Sequence, residues 1–523
     1  MRIFTKILIG IAAFSPLAGK AALTENQELG LKDLDRCKAL VDAVWQRAIR
    51  SNGVSVYLSD TYNTSGRGSS NGVSDVWPYT AVIEAHCSLL EALEAAKDIA
   101  PELYEENFDV YAGQLDLLID NLEWYRGTYN LASYAEKEKP VSPFGVHRGG
   151  SRGNARVDGI ENVYDDQMWI ARELIRAYQL TGREDYLDKA VYLTDYVLEG
   201  WDCWRDANGN EMGGITWGPG YNSKHACSNA PIIQPLVWLA DIFTPTDETI
   251  DFSYRDMDNM VVTETMPRGD HYLDFAKKIY AWQKSKLLNS SGCYADLIGA
   301  QHGFINVEDG YRQTVPFGGV DRTQYSYNTG TMIAGAAELY RVTGDDAYLK
   351  DMQTTSQASL SQFAKFQRGT GMYLFNTDAK ATEGFNSWFN DVLMRSYADA
   401  APYVEIYPRN GLQSFEYYLD YAFDNHLKAD FLPIKFVEGW GDETVTKGFH
   451  QSAFASEYGV LAKWRLSLDG NDGNAVKPVA SGNDDDARVF TLSGLEKGNL
   501  SKVKDSLPRD IYIVGNRKAV IGK

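Results

Sequence analysis

Histidine and cysteine are scarce in this chain, seven and five among 523 residues. The histidines are scattered, with no His-Glu-x-x-His pair, which argues against a zinc protease. The cysteines, Cys37, Cys87, Cys203, Cys227 and Cys293, are too few for a disulfide scaffold, and none stands in the C-x-x-C spacing of zinc or redox sites. Cys203 and Cys227 are close enough in sequence to pair across one loop; the alternative is that all five are small buried apolar residues. No metal or cofactor is expected. Basic residues are also under-represented, 51 Lys and Arg against 71 Asp and Glu, a net charge of -20. Such a surface repels nucleic-acid phosphates and an anionic membrane face, so neither is expected as a partner. Apolar runs are short. The longest, Ile7 to about Ala18, follows the charged start Met-Arg-Ile-Phe-Thr-Lys and precedes Gly19-Lys20-Ala21. That is the form of a signal peptide over 1–21, too short to span a membrane, and it predicts an exported protein that is not integral to the membrane. A monomer in the periplasm, at the cell surface or outside the cell is expected.

What the chain has in quantity is aromatic residues, 32 Tyr, 21 Phe and 12 Trp. Tyr and Trp carry a polar handle beside an apolar ring and suit wet clefts as well as cores. Between 33 and 466 the pattern is an amphipathic helix followed by a loop rich in Gly, Asn and aromatics, repeated about twelve times. Helices are predicted near 33–50, 79–98, 104–123, 164–180, 183–199, 228–242, 268–288, 327–342, 345–365, 385–400, 410–426 and 449–466. Little β-alternation is read anywhere. Tyr178-Gln-Leu-Thr-Gly-Arg-Glu-Asp-Tyr-Leu aligns with Tyr340-Arg-Val-Thr-Gly-Asp-Asp-Ala-Tyr-Leu, an internal repeat of helix, tight turn and helix. The expected fold is all-α, an (α/α)6 toroid of six helical hairpins over 22–468, with the long loops gathered at one mouth; a tetratricopeptide-like array is the alternative. A polar, acidic stretch at 469–486 reads as a linker, and 487–523 as a short β-like tail. The tail, with Leu507-Pro508 and Ile511-Tyr512-Ile513-Val514, resembles the C-terminal sorting tails of type IX secretion cargo.

Chemistry-bearing motifs are few. There is no Gly-x-x-x-x-Gly-Lys-Ser/Thr loop, and Gly-x-Ser-x-Gly at Gly68–Gly72 and Gly149–Gly153 neither follows an apolar strand nor opens a helix, as a nucleophile elbow must. The carboxylate pair Asp165-Asp166 stands out, at a predicted helix start after a Gly- and Arg-rich loop and between Tyr164 and Trp169. Helix capping explains such a pair equally well. Asp345-Asp346, at the Thr-Gly turn, is read as capping and serves as an internal comparison. In the first turn of a helix two adjacent carboxylates can share a cleft, and glycoside hydrolysis needs one ionised and one protonated, about 5 to 5.5 Å apart in the retaining mechanism. Like-charge repulsion would separate their pKa values.

Tyr164-Asp165-Asp166-x-x-Trp169, the Tyr-x-x-Thr-Gly-x-x-x-Tyr-Leu turn, Gly213-Gly214-Ile215-x-Trp217, Ser228-Asn229-Ala230 and Tyr327-Asn328-x-Gly330-Thr331-Met332-Ile333 occur in the order seen in glycoside hydrolase family 76. Over most of 75–465 the chain resembles that family of endo-α-1,6-mannanases. The resemblance implies an (α/α)6 toroid, retaining cleavage of α-1,6-linked mannan, Asp165 as nucleophile and Asp166 as general acid/base. Trp77, Tyr164, Trp217 and Tyr327 are candidates for the sugar cleft as stacking aromatics, and Asn229 and Asn328 for bonding hydroxyls. Packing is the alternative for Trp77 and capping for Asn328. Two stretches depart from the family pattern: Pro245–Met266 lengthens a loop, and Phe385-Asn386-Ser387-Trp388 replaces a Phe-Lys-Gly type sequence. Other readings are a mannan transglycosidase, a non-catalytic glycan-binding protein, and an inverting glycosidase or lyase of the same fold.

Overall fold

The computed structural model describes residues 22–300 and 305–468 and, further along, the strands Arg488–Thr491, Glu496–Asn499, Asp510–Val514 and Arg517–Ile521 with Lys502. The expected leader 1–21 and linker 469–486 lie outside the described residues.

Twelve α-helices occur among the described residues: α1 (Glu25–Arg47), α2 (Val76–Ala96), α3 (Pro101–Asn121), α4 (Tyr164–Thr181), α5 (Glu184–Leu198), α6 (Ile233–Phe243), α7 (Arg268–Leu287), α8 (Ser326–Thr343), α9 (Asp346–Phe363), α10 (Asn386–Ala400), α11 (Ile406–His426) and α12 (Gly448–Leu468). Each predicted helix is present. α1 begins eight residues before the predicted start because Thr24 and Gln27 close a capping box. α6 begins later than predicted because Pro231 sits in a 3₁₀ turn, Ala230–Ile232. The internal repeat is structural as well as sequential. Thr181 and Thr343 both bond back to the carbonyl four residues earlier, and Gly182 (φ 70°) and Gly344 (φ 65°) both end their helices left-handed. Asp345 then caps α9 by accepting the Ala347 N–H at 2.9 Å.

The even-numbered helices pack in a closed circuit, α2 on α4, α4 on α6, and so on until α12 returns to α2, while each odd-numbered helix lies outside one of them. The inner helices are buried on nearly every face; from Tyr79 to Leu90, every residue of α2 is buried. Their contacts are close. A Cβ on Gly330 would stand 2.8 Å from the Leu393 backbone, and one on Gly459 would stand 2.8 Å from the Ser88 backbone, so both crossings require glycine.

The insert at Pro245–Met266 is not the plain loop expected. It forms an antiparallel hairpin of β1 (Thr249–Arg255) and β2 (Val261–Pro267), with Ile250 opposite Met266 and Arg255 opposite Val261. Ile250, Phe252 and Tyr254 do alternate with polar residues, a period-2 signal the sequence reading passed over. The hairpin lies along the outer layer, with Phe252 4.9 Å from the His271 ring of α7. Its tip is pinned by Arg255, which lies 3.7 Å from the Trp204 ring and donates to the Tyr134 carbonyl at 2.9 Å.

In the C-terminal part, β3 (Arg488–Thr491), β4 (Glu496–Asn499), β5 (Asp510–Val514) and β6 (Arg517–Ile521) pair antiparallel in the order β4-β3-β5-β6. All five cysteines are buried and none is in a disulfide, so Cys203 and Cys227 do not pair. Among the described residues no helix is long and apolar enough to cross a membrane.

Candidate active site

The second residue of one inner helix after another meets at the same end of the circuit: Trp77 of α2, Asp165 of α4, Tyr327 of α8, Ser387 of α10 and Phe449 of α12. Trp77, Trp169, Trp217, Cys227, Tyr327, Trp388, Phe389 and Phe449 form one packed aromatic cluster there. Helix N-termini carry unsatisfied N–H groups and a partial positive charge, so an end where several converge favours an anion over the same group in a plain apolar core.

α4 starts where it does because the Tyr164 N–H is taken by the Trp217 carbonyl at 2.8 Å, with Val163 extended before it. This tie places Asp165 and Asp166 in the first turn beside the loop that carries Trp217. The cap itself makes no side-chain bond. Asp165 is instead held as a charged group: one carboxylate oxygen accepts the Asp166 N–H at 3.0 Å, the other accepts the Trp217 indole N–H at 3.2 Å, and the Cys227 thiol also donates to it. Burial pushes its pKa up to about 6 and these donors oppose the rise. Asp166 is 8% exposed and has no such donors. Burial first, then the charges of Asp165 and Asp75, raise its pKa well above the usual carboxylate range. One turn of helix therefore holds a carboxylate whose charged form is met by donors and a neighbour whose proton is held more tightly than usual, the division that general acid and nucleophile require.

The other residues singled out in the sequence fall into two groups. Trp77 and Tyr327 are in the aromatic wall: Trp77 lies 4.7 Å from Phe385 and 5.1 Å from Trp388, and Tyr327 is stacked on Phe389 at 4.2 Å. Trp217 is stacked on His225 at 4.6 Å, which fixes the plane of its indole beside Asp165. Asn328 donates to Asp296 at 3.2 Å and leaves its carbonyl oxygen without a partner. Tyr164 and Asn229 lie behind the wall, spent on packing and on the backbone. Tyr164 is 1% exposed and packs on Tyr196, and Asn229 is wholly buried, its amide spent on Ile215 N and O and on the His225 carbonyl. Neither has surface to offer a ligand; both hold the Trp217 loop in place.

Several residues were missed. Phe385, Trp388 and Phe389 complete the wall, and Trp388 is anchored by its N–H on Glu84 at 2.9 Å. Asp75, just before α2, bears on Asp166 and is bonded by His147 at 2.7 Å. Asp296 bears on Cys227 and Tyr327. The signal that could have found them is positional, since each lies within a few residues of the start of an even-numbered helix or in the loop leading to one. Among the described residues no cluster of His, Cys, Asp and Glu is arranged to hold a metal.

A family model described as glycosyl hydrolase family 76 matches residues 153–252 and 264–416, skipping the tip of the hairpin. A mannan endo-1,6-alpha-mannosidase of Candida albicans is 28% identical over 203 residues, 38% of each chain, and one of Saccharomyces cerevisiae 24% identical over 208 residues, 39% of this chain and 38% of that one. The chain thus matches well under half the length of these curated relatives. A family 76 glycoside hydrolase (mannosidase) from Bacteroides thetaiotaomicron has the same fold with a TM-score of 0.58 at 20% identity, covering 84% of this chain and all of that one. An inactive variant of an α-1,6-mannanase from Salegentibacter sp., with two consecutive aspartates replaced by asparagine and α-1,6-mannotriose bound, gives 0.54 at 18% identity, covering 83% and 99%.

Proposed function

Because this chain belongs to glycosyl hydrolase family 76, we propose that it is an exported endo-acting glycoside hydrolase that cleaves α-1,6-mannosidic linkages in mannan with retention of configuration. The closed circuit of six inner helices, each backed by an outer one, supports an (α/α)6 toroid as the scaffold. The observation that carries the reading is the asymmetry of the pair: Asp165 accepts the Asp166 and Trp217 N–H groups, whereas Asp166, buried beside Asp165 and Asp75, lacks such donors and has its pKa raised well above the usual carboxylate range. The Salegentibacter mannanase supports it as well, being inactive when two consecutive aspartates are replaced.

In the proposed sequence the Asp165 carboxylate attacks the anomeric carbon while Asp166 gives its proton to the departing glycosidic oxygen. The C–O bond to the leaving sugar breaks as the bond to Asp165 forms. Asp166, now charged, then takes a proton from water, and the oxygen of that water displaces Asp165 from the anomeric carbon. A second inversion restores the α configuration. Trp217 and Cys227 hold the nucleophile's oxygens, and Trp77, Tyr327, Phe385 and Phe389 supply ring faces for sugars along the cleft. The net charge of -20 and the nearby Asp75 and Asp296 suit a neutral polysaccharide better than an acidic one. Export rests on the N-terminal sequence, and sorting on the tail at 487–523.

Digestion of debranched α-mannan by the purified chain, followed by product sizing, tests this reading. Short α-1,6-oligosaccharides are expected, and none from the Asp165→Asn or Asp166→Asn variants. Undiminished activity in both variants would refute the site; products longer than the substrate at high acceptor concentration would reassign the chain to transglycosylation.

A further inference from the structure

Asp75 stands at the N-cap of α2 but its side chain makes no cap bond; its carboxylate takes the His147 Nδ1–H at 2.7 Å instead. The main chain sets that pairing. The Val76 N–H is accepted by the Val146 carbonyl at 2.9 Å, and the Val146 N–H by the Glu161 carbonyl at 2.8 Å. Asp75, His147 and Glu161 are thereby brought to one place, with His147 Nε2 3.9 Å from Glu161. That place is the end of the circuit that holds the Asp pair: Trp77, two residues after Asp75, and Trp169, three after Asp166, both pack on the Trp388 ring, at 5.1 and 4.9 Å. We infer that Asp75 is a positioning residue for Asp166, holding its proton through charge, and that His147 sets the strength of the hold by offsetting that charge when protonated. The inference rests on the reading of Asp166 as the acid/base.

The charges around the pair favour this arrangement. Asp165 and Asp75 both raise the pKa of Asp166, whereas Tyr221, Cys227 and Tyr327 bear on Asp165. Tyr125, close enough to feel Asp75, spends its hydroxyl on the Ser74 carbonyl at 2.8 Å. The arginines of the loop that carries His147 are committed elsewhere. Arg148 lies 4.0 Å from the Trp124 ring, Arg152 pairs with Asp120 at 2.7 Å, and Arg156 pairs with Asp158 at 3.1 Å and Glu161 at 3.6 Å. His147 is the group of that loop that reaches Asp75.

The two charges on Asp166 differ in what the reaction does to them. When the Asp165 carboxylate bonds to the anomeric carbon it becomes a neutral ester, and its hold on the Asp166 proton ends. Asp75 takes no part in the bond change and keeps its charge. It is therefore the charge that makes Asp166 a base able to take a proton from water in the second step. The Asp75 and His147 side chains are 50% and 65% exposed, so the pair exchanges protons with solvent and its effect is screened by salt.

Carboxyl-carbon NMR titration of the full chain labelled at aspartate reads the Asp166 proton without turnover, its signal identified by loss in Asp166→Asn. The Asp166 midpoint is expected to fall by at least about half a pH unit in Asp75→Asn and in His147→Lys, which sets a permanent positive charge beside Asp75, and to stay in place in Asp75→Glu. The basic limb of kcat/KM on α-1,6-mannan should move with it. A midpoint unmoved in Asp75→Asn, or moved as far by Asp75→Glu, overturns the proposal, and one unmoved in His147→Lys overturns the part given to His147. A midpoint that moves while the basic limb stays supports the hold on the proton and counts against Asp166 as the acid.

Discussion

The Trp217 indole N–H donates to Asp165 at 3.2 Å, across a separation of 52 residues, and the same loop's Trp217 carbonyl accepts the N–H of Tyr164, the first residue of the helix that carries Asp165. One loop residue therefore both starts the helix and holds the carboxylate it presents. Trp217→Phe keeps the ring but removes the donor. Because that donor favours the ionised carboxylate, its loss raises the pKa of Asp165 above about 6 and moves the acid limb of the pH–rate profile to higher pH, with a fall of about tenfold in kcat/KM at pH 6. An unshifted acid limb would separate the bond from catalysis.

The two carboxyls differ in what a better leaving group can rescue. Asp166→Ala removes the proton donor, and a loss of about 10²- to 10⁴-fold is expected on mannan, with most of it recovered on an aryl mannoside whose phenolate leaves unprotonated. Asp165→Ala removes the nucleophile and should be inactive on both substrates. Equal losses on the aryl substrate would mean that the roles are not divided as proposed.

Stability should move the other way. Both carboxyls have folded-state pKa values above the ordinary 3.8, so they favour the folded state below about pH 4 and that contribution is lost as pH rises through about 6 for Asp165 and higher for Asp166. Asp165→Asn with Asp166→Asn removes the penalty of ionising in a buried cleft. Scanning calorimetry should show a higher Tm than wild type at pH 7.5 and little difference at pH 4. A lower Tm at both values would contradict the pKa assignment.

The aromatic wall should act on binding more than on chemistry. Phe389 stacks on Tyr327 at 4.2 Å and is only partly buried. Phe389→Ala is expected to raise KM for long oligosaccharides about tenfold and to change kcat little, the pattern of a contact made equally in ground and transition states. A fall in kcat at unchanged KM would place the ring against the reacting sugar instead.

The helices were legible because twelve amphipathic segments and two matching Thr-Gly turns need no long-range information. The Asp pair was legible as chemistry only by contrast with Asp345, which caps α9 as read, whereas Asp165 bonds an indole and a thiol from other segments. Burial was not legible. Tyr164 and Asn229 look like ligands beside a catalytic motif, yet one is packed on Tyr196 and the other ties Ile215 to His225, contacts that only the folded chain creates. The hairpin was missed for a different reason: Ile250, Phe252 and Tyr254 alternate over seven residues inside a chain otherwise read at a helical period. Phe385 to Trp388 stand out in the sequence as a departure from a familiar pattern, but their place in the wall, with Phe389, depends on α10 starting at the same end as α2 and α8.

Retention through a covalent bond to Asp165 is the central claim, and proton NMR of the first anomer released from α-1,6-mannotetraose tests it most directly. The α anomer is expected to appear first and the β anomer to grow in only by mutarotation. Initial release of the β anomer would contradict the claim and leave Asp165 as a base for water.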